Sequence, residues 1–154
     1  MRAAVFVALV AVVVGSVACG SAHKHEPPAH PEDTQRLYVE LSLAGSHEGS
    51  LESGAKAGLA KVPYVVLLPS NRGGDVELQL QVARLDVEGK ETVCGIKILA
   101  VRLPQHDLFG MAEGSARAGG THAQAGRDCI THLGESLIGG KVQGLLYKRL
   151  GEKR

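Results

Sequence analysis

The chain has 154 residues, enough for one domain of ordinary size. Its formal net charge is +1, with 17 basic and 16 acidic residues, which excludes the strongly basic field of a nucleic-acid-binding protein. Aromatic residues make up 3% of the chain and Trp is absent, which excludes a stacking platform for bases or sugars.

The first 18 residues have the three-part pattern of a secretory signal peptide. Arg2 supplies the positive start, residues 3–14 form an uncharged apolar stretch, and Gly15, Ser16 and Ala18 are small. The apolar stretch is too short for a membrane span, and a buried core helix is the alternative. We predict that residues 1–18 are removed, which leaves basic and acidic residues in balance.

Cys19 follows these small residues directly. Ser16-Val17-Ala18-Cys19 resembles the lipobox of bacterial lipoproteins, although that family prefers Leu, Val or Ile where Ser16 stands. The resemblance implies that Cys19 is acylated, with palmitate or a similar chain, and becomes the mature N-terminus. It also implies a cell-envelope location. Gly20, in place of Asp, favours an outer-membrane lipoprotein facing the periplasm, with the inner membrane and the cell surface left open. The alternative is cleavage nearby, which would leave Cys19 as a spare thiol in an exported protein.

Residues 19–35 form a predicted tether between the lipid and the domain, which spans residues 36–154. The tether is rich in proline and histidine and has too little apolar content to order itself, so it is expected to be an extended spacer. His23, His25 and His30 are a candidate metal site, because imidazole binds Zn, Cu and Ni. A plain tether is the alternative, since nothing fixes the geometry of these ligands.

The domain begins with a predicted strand, a helix and a second strand. Residues 36–44 alternate apolar and polar side chains, the period of a strand with one buried face. Residues 50–61 are expected to form a helix capped by Ser50. Its glycines, Gly54 and Gly58, weaken the helix but would let it lie close to a sheet. An apolar run bounded by two prolines, residues 62–68, predicts the short second strand.

Residues 75–103 form a predicted β-hairpin around which the rest of the domain is organised. Apolar residues occupy every second position of the first strand, but their parity changes near residues 82–84. One extra residue in a β-bulge would keep all of them on one face. The returning strand has a similar change at Ile98–Leu99, which predicts a second bulge there, and Pro104 ends this strand.

The turn of this hairpin sets which residues face each other. Gly89-Lys90 suits a two-residue turn with glycine at its first central position. This turn places Leu85 opposite Cys94 and Ala83 opposite the next inward residue, Ile96.

A further strand and two helices complete the predicted domain. Residues 108–118 alternate, and their inward side is almost entirely Gly and Ala, so that a helix can approach closely; a long loop is the alternative. Thr121 and Gln124 fit a capping box for a helix. Its buried face carries Cys129, Ile130, Leu133 and Leu137. Gly139-Gly140 is expected to end this helix before a second, shorter one.

The three cysteines suggest one disulfide. Once Cys19 carries lipid, two cysteines remain in an oxidising compartment. Cys94 has the parity of the buried face of its strand, and Cys129 lies on the buried stripe of its helix. We therefore predict a Cys94–Cys129 disulfide, with two separate buried thiols as the alternative.

No recognisable catalytic motif occurs in the sequence. Asp128 and His132 share a helix face, but no nucleophile accompanies them, so a solvated ion pair is favoured over a hydrolase site. His47, His106 and His122 lie in or beside predicted turns and form no ligand set. We expect neither an enzyme nor a bound cofactor.

The order of elements predicts an α+β fold, a two-layer sandwich with a mainly antiparallel sheet and helices packed on one face. The run from Asp75 to Leu150, with Gly114-Ser115-Ala116-Arg117 in the strand before the last helices, is similar in element order to small periplasmic lipoprotein domains. Examples are the activators of penicillin-binding proteins and the curli-secretion lipoproteins. The resemblance includes no diagnostic motif and implies no functional residue.

Two functions remain open at this point. The first is a non-catalytic envelope lipoprotein, held to the membrane through its lipid, that binds another envelope protein or assembles with itself. The second is a metal- or small-ligand-binding lipoprotein that uses the His-rich tether.

Overall fold

The structure, a computed structural model, describes residues 35–153. The elements follow in the order β1 (Leu37–Ala44), α1 (Glu48–Leu59), β2 (Val65–Leu68), β3 (Val76–Glu88), β4 (Glu91–Arg102), β5 (Asp107–Gly119), α2 (Ala123–Leu137), a π-helical segment (Ile138–Val142) and α3 (Gln143–Glu152). The signal peptide, Cys19 and the histidines of the tether lie outside the described residues, so those predictions and the domain boundary at residue 35 stay predictions.

The five strands form one sheet in the order β2-β1-β3-β4-β5. β1 pairs in parallel with both β2 and β3, and the other neighbours are antiparallel. The helices cover one face, where the buried apolar side chains of β1, β3 and β4 form the core with those of α1, α2 and α3. The predicted α+β sandwich is therefore confirmed, with a mixed sheet. None of the described helices has the length and apolar content needed to cross a bilayer.

The central hairpin has one of its two predicted bulges. The register of β3 against β4 shifts between Val82 and Arg84. Leu85 faces Cys94 as predicted, but Val82 rather than Ala83 faces Ile96, because Ala83 is itself the extra residue of the bulge. The inserted residue lets Val82 and Leu85 pack against the same core.

The predicted bulge at Ile98–Leu99 is wrong. β4 pairs with β3 regularly there, so Leu99 lies on the face of the sheet away from the helices. The second shift lies in the β4–β5 pairing, where Ala100 faces Gly110 and Val101 faces Leu108. Phe109 is the extra residue, so the second bulge lies in β5 and not in β4, where the sequence predicted it.

The small inward side of β5 admits a helix, as predicted. A methyl group added to Gly114 would lie 3.0 Å from the Leu137 side chain of α2, and one added to Gly110 would lie 2.7 Å from Leu145 of α3. α2 also carries the predicted disulfide: Cys94 of β4 is bonded to Cys129, with their Cα atoms 6.1 Å apart.

Gly54 and Gly58 of α1 face a helix and not the sheet. A methyl group at Gly54 would overlap the carbonyl oxygen of Thr131 in α2, and one at Gly58 would lie 2.7 Å from Cβ of Ile138. Two helix backbones can approach this closely only where no Cβ intervenes. The expectation of a close helix–sheet contact is therefore corrected to a close helix–helix contact.

The helix ends also differ from the sequence prediction. α1 begins after His47, whose φ is 65°, and Ser50 lies inside the first turn. α2 begins after His122, whose Nδ1 accepts a hydrogen bond from the N–H of Ala125, so Thr121 is not the cap. Neither predicted capping residue is therefore used: α1 begins without a side-chain cap, and a histidine one residue later caps α2.

Gly139-Gly140 does not end the helix, contrary to prediction. The chain continues through one π-helical segment, from Ile138 to Val142, into α3. Both of those residues are fully buried. Burying them stabilises the continued helix by more than the roughly 2 kcal/mol that two helical glycines cost.

Candidate functional site

Within residues 35–153, the acid that shares a helix face with a histidine is Asp128. Asp128 Oδ1 accepts a hydrogen bond from Gln124 Nε2 at 2.6 Å, and no ion pair joins Asp128 to His132 within residues 35–153. The predicted ion pair is therefore wrong. No group of three His, Cys, Asp or Glu side chains in the described part of the chain could hold a metal ion.

One cleft, of about 630 Å³, opens on the sheet face away from the helices. Its walls are the loop 70–74 and the turn 103–106, and Glu40 of β1 lies at its base. Glu40 is only 6% exposed. Such a buried carboxylate requires partners, and these partners decide whether it can act chemically.

Glu40 holds the loop 70–74 through three backbone hydrogen bonds. Its carboxylate accepts N–H groups of Asn71 at 2.7 Å, Arg72 at 3.0 Å and Gly74 at 2.8 Å. The bond from Gly74 lowers the pKa of Glu40 most, burial opposes that effect, and the bonds from the other loop amides add to it. Glu40 is therefore an ionised structural group that three backbone N–H groups of the loop hold in place.

The cleft also contains a weak contact between the side chains of His106 and Glu77. His106 Nδ1 lies 3.9 Å from Glu77 Oε2, and the His106 side chain is 70% exposed. Because water competes for both side chains of such an exposed pair, their interaction contributes little to stability.

The edge strand β5 is a different kind of surface. It is 13 residues long and pairs on one side with β4. Glu113 shows which groups point away from the sheet, because its carbonyl oxygen accepts a hydrogen bond from Lys141 Nζ at 2.8 Å. In an antiparallel strand, alternate residues direct both N–H and C=O to the same side. Met111, Ser115 and Arg117 share the parity of Glu113 and so direct theirs outwards.

The hairpin register leads to the same conclusion. Glu88 and Glu91 flank the two-residue turn and form its closing hydrogen-bonded pair. Alternation then assigns the odd-numbered residues of β4 to β3 and the even-numbered ones to β5. Even-numbered residues of β5 face even-numbered residues of β4 up to the bulge, which leaves its odd-numbered residues facing out. Unpaired backbone groups of this kind are a template for another strand.

Apolar and charged side chains accompany these backbone groups. Leu108 and Met111 are 60% and 51% exposed. Glu113, Ser115 and Arg117 are also exposed, and all lie on the face opposite the helices. We call this strand and its outward backbone groups the β5 edge. Alternation in the sequence predicted the strand but not that it lies at an edge, since the position of a strand within a sheet is not a local property.

The opposite edge of the sheet is much shorter. β2 has four residues, and a groove of about 470 Å³ lies between its end and α1. Leu43 and Leu67 line that groove, and the exposed ion pair of Glu52 and Lys56 lies at its rim. A strand of four residues offers few outward backbone groups, so the β5 edge is the longer of the two sheet edges.

No known protein family and no curated protein matches the sequence. Solved structures are similar in fold. Protein XCC0632 from Xanthomonas campestris, described as DUF330, has a TM-score of 0.54 at 14% identity over 79% of this chain and 92% of its own. The PelC dodecamer from Paraburkholderia phytofirmans has a TM-score of 0.53 at 13% identity over 69% of this chain and 88% of its own.

A third structure, the hypothetical protein CT253 from Chlamydia trachomatis, has a TM-score of 0.53 at 5% identity, over 73% of this chain and 98% of its own. Lipoprotein GNA1162 from Neisseria meningitidis is a more distant neighbour, with a TM-score of 0.46, 11% identity and coverage of 73% and 96%. The three likenesses with a TM-score above 0.5 establish a fold shared with other bacterial proteins.

Proposed function

We propose that this chain is a lipid-anchored, non-catalytic domain of the bacterial cell envelope, and that it acts as an assembly module. The observation that carries the proposal is the β5 edge, with its outward backbone groups and the exposed Leu108 and Met111. A long unpaired edge strand invites pairing with another strand unless something covers it. In an assembly, a strand of the partner would pair with these outward backbone groups.

Two further observations support the proposal. The leader ends in Ser16-Val17-Ala18-Cys19, which favours acylation and retention at a membrane. One of the proteins with the same fold is a dodecamer by its description, so this fold is compatible with self-assembly. The acid pair and the histidines of the described chain form no catalytic arrangement, which favours binding over chemistry.

The anchor is tested by changing the acylated residue. Cys19→Ala removes the thiol that would receive the lipid, so we expect an uncleaved or soluble product instead of one that partitions with membranes. Intact-mass measurement and membrane fractionation check this outcome. A variant with the mass and membrane partition of the unchanged protein would contradict the lipoprotein assignment.

The assembly role is tested in intact cells with a photo-cross-linking residue at Ser115, in the middle of the β5 edge. We expect cross-links to a partner protein, either a second copy or another envelope protein, identified by mass spectrometry. The matched control places the same residue at Glu48, an exposed position on α1. Equal or absent cross-linking at the two positions would refute a specific role for the β5 edge.

A further inference from the structure

We infer that the occupant of the β5 edge is β5 of a second copy of this chain, paired antiparallel about a two-fold axis beside Ser115. The inference rests on the proposed assembly role and names the partner and the register. It joins two five-stranded sheets into one sheet of ten strands. A two-fold contact of this kind uses the same surface on both copies and therefore closes after two chains.

The backbone of β5 fits this arrangement. Ser115 lies in the middle of the odd-numbered residues whose N–H and C=O groups point outwards. When Ser115 faces Ser115 of the second copy, Met111 faces Gly119 of that copy, and outward residues meet only outward residues. Each such pair exchanges two backbone hydrogen bonds, as in any antiparallel ladder.

The charges of β5 select this register. With Ser115 at the axis, Glu113 of one copy faces Arg117 of the second copy. By symmetry, Arg117 of the first copy faces Glu113 of the second. Opposite charges directly across antiparallel strands stabilise pairing, and like charges destabilise it. The interface therefore contains two complementary pairs, and the side chains that form them are exposed.

Neighbouring registers lose this complementarity. A shift of the pairing by two residues in one direction places Glu113 opposite Ser115 and leaves Arg117 opposite Met111. A further shift in that direction places Glu113 opposite Glu113. The opposite shifts place Arg117 opposite Ser115 and then opposite Arg117. Only the register centred on Ser115 pairs both charges with their opposites.

Groups that now contact β5 do not obstruct the pairing. Lys141 is exposed, so its ammonium can move into water while a backbone N–H of the second copy takes its place as donor to the carbonyl of Glu113. Arg117 already lies 2.9 Å from Glu88 and 3.4 Å from Glu91 on its own chain. Those pairs hold its guanidinium on the open face, where a third carboxylate can reach it.

Charge reversal tests the register in the mature, detergent-purified protein. Glu113→Arg opposes arginines across the axis in both pairs, and Arg117→Glu opposes glutamates. We expect each single variant to raise the dimer dissociation constant by about 10-fold or more, measured by sedimentation equilibrium. The double variant, Glu113→Arg with Arg117→Glu, restores opposite charges and should dimerise like the unchanged protein.

Mixing the two single variants gives the sharpest result. A chain with Glu113→Arg is complementary to a chain with Arg117→Glu at both positions, so the mixture should form heterodimers that neither variant forms as a homodimer. Native mass spectrometry separates these species. Misfolded variants could not pair in this way, so heterodimer formation also shows that both chains are folded.

The control variant is Glu52→Lys, a charge reversal of the same size on α1, beside the opposite edge of the sheet, which should leave dimerisation unchanged. Dimers that respond to Glu52→Lys but not to the β5 variants would overturn the inference and leave self-assembly in place. A protein that stays monomeric would also overturn it. If the protein is monomeric but Ser115 cross-links to a different envelope protein, the assembly role still holds. If it is monomeric and Ser115 cross-links to nothing, both the assembly role and the symmetric dimer are refuted.

Discussion

Gly54→Ala is expected to destabilise the domain although alanine is the better helix former. In an open helix, this change would stabilise by about 1 kcal/mol. In α1 the new methyl group would overlap the carbonyl oxygen of Thr131 and lie 3.2 Å from the backbone nitrogen of Glu135. Both atoms belong to the backbone of α2 and cannot rotate away. The two helices must therefore move apart.

The size of the effect follows from what the helix movement disturbs. Leu51 and Ala55 of α1 are fully buried, so a displaced helix opens gaps around both. Overpacking usually costs about 1–3 kcal/mol, and here a backbone contact prevents relief by side-chain rotation. We expect the free energy of unfolding to fall by about 2 kcal/mol or more, a large share of the stability of a small domain.

Urea unfolding followed by circular dichroism measures this change. Gly144→Ala is the matched control, because Gly144 lies in α3 and nothing lies within 4 Å of an added methyl group. That variant should be more stable by about 0.5–1 kcal/mol. If Gly54→Ala were as stable as the unchanged protein, with the same dependence on urea, the close crossing of α1 and α2 would be refuted.

Two further perturbations test the cleft and the disulfide. Glu40→Gln should reduce stability at pH 7 by about 1–3 kcal/mol, because an amide cannot accept all three N–H groups of the loop 70–74. Folding lowers the pKa of Glu40, so its contribution is present above the unfolded pKa of about 4.3 and is lost as pH falls through the folded value. Unfolding curves of the two proteins should therefore converge at low pH, and a constant difference would contradict this role. Reduction of the Cys94–Cys129 bond, 35 residues apart in sequence, should cost about 3–4 kcal/mol in the chain-entropy model. Equal urea midpoints for the oxidised and reduced protein would argue against a structural role for the bond.

The local pattern of the sequence was enough to predict several elements. Alternation in β1 and along the first strand of the hairpin indicated both the strands and the bulge at Val82–Arg84, because side-chain direction in a strand has a period of two. The parity of Cys94 and the helical spacing of Cys129 predicted their disulfide for the same reason. These features depend on backbone geometry over a few residues, so the local order of apolar and polar residues is enough to predict them.

Tertiary structure decided which surfaces meet. Leu99 is apolar like a core residue but lies on the face away from the helices. The bulge predicted at Ile98–Leu99 assumed that Leu99 was buried, and it was therefore wrong. Gly54 permits close approach, but the sequence cannot say whether a strand or a helix approaches it. Ile138 and Val142 carry the helix through two glycines because both are buried by elements distant in sequence. The β5 edge belongs to the same class, since whether a strand lies at an edge depends on the order of all five strands.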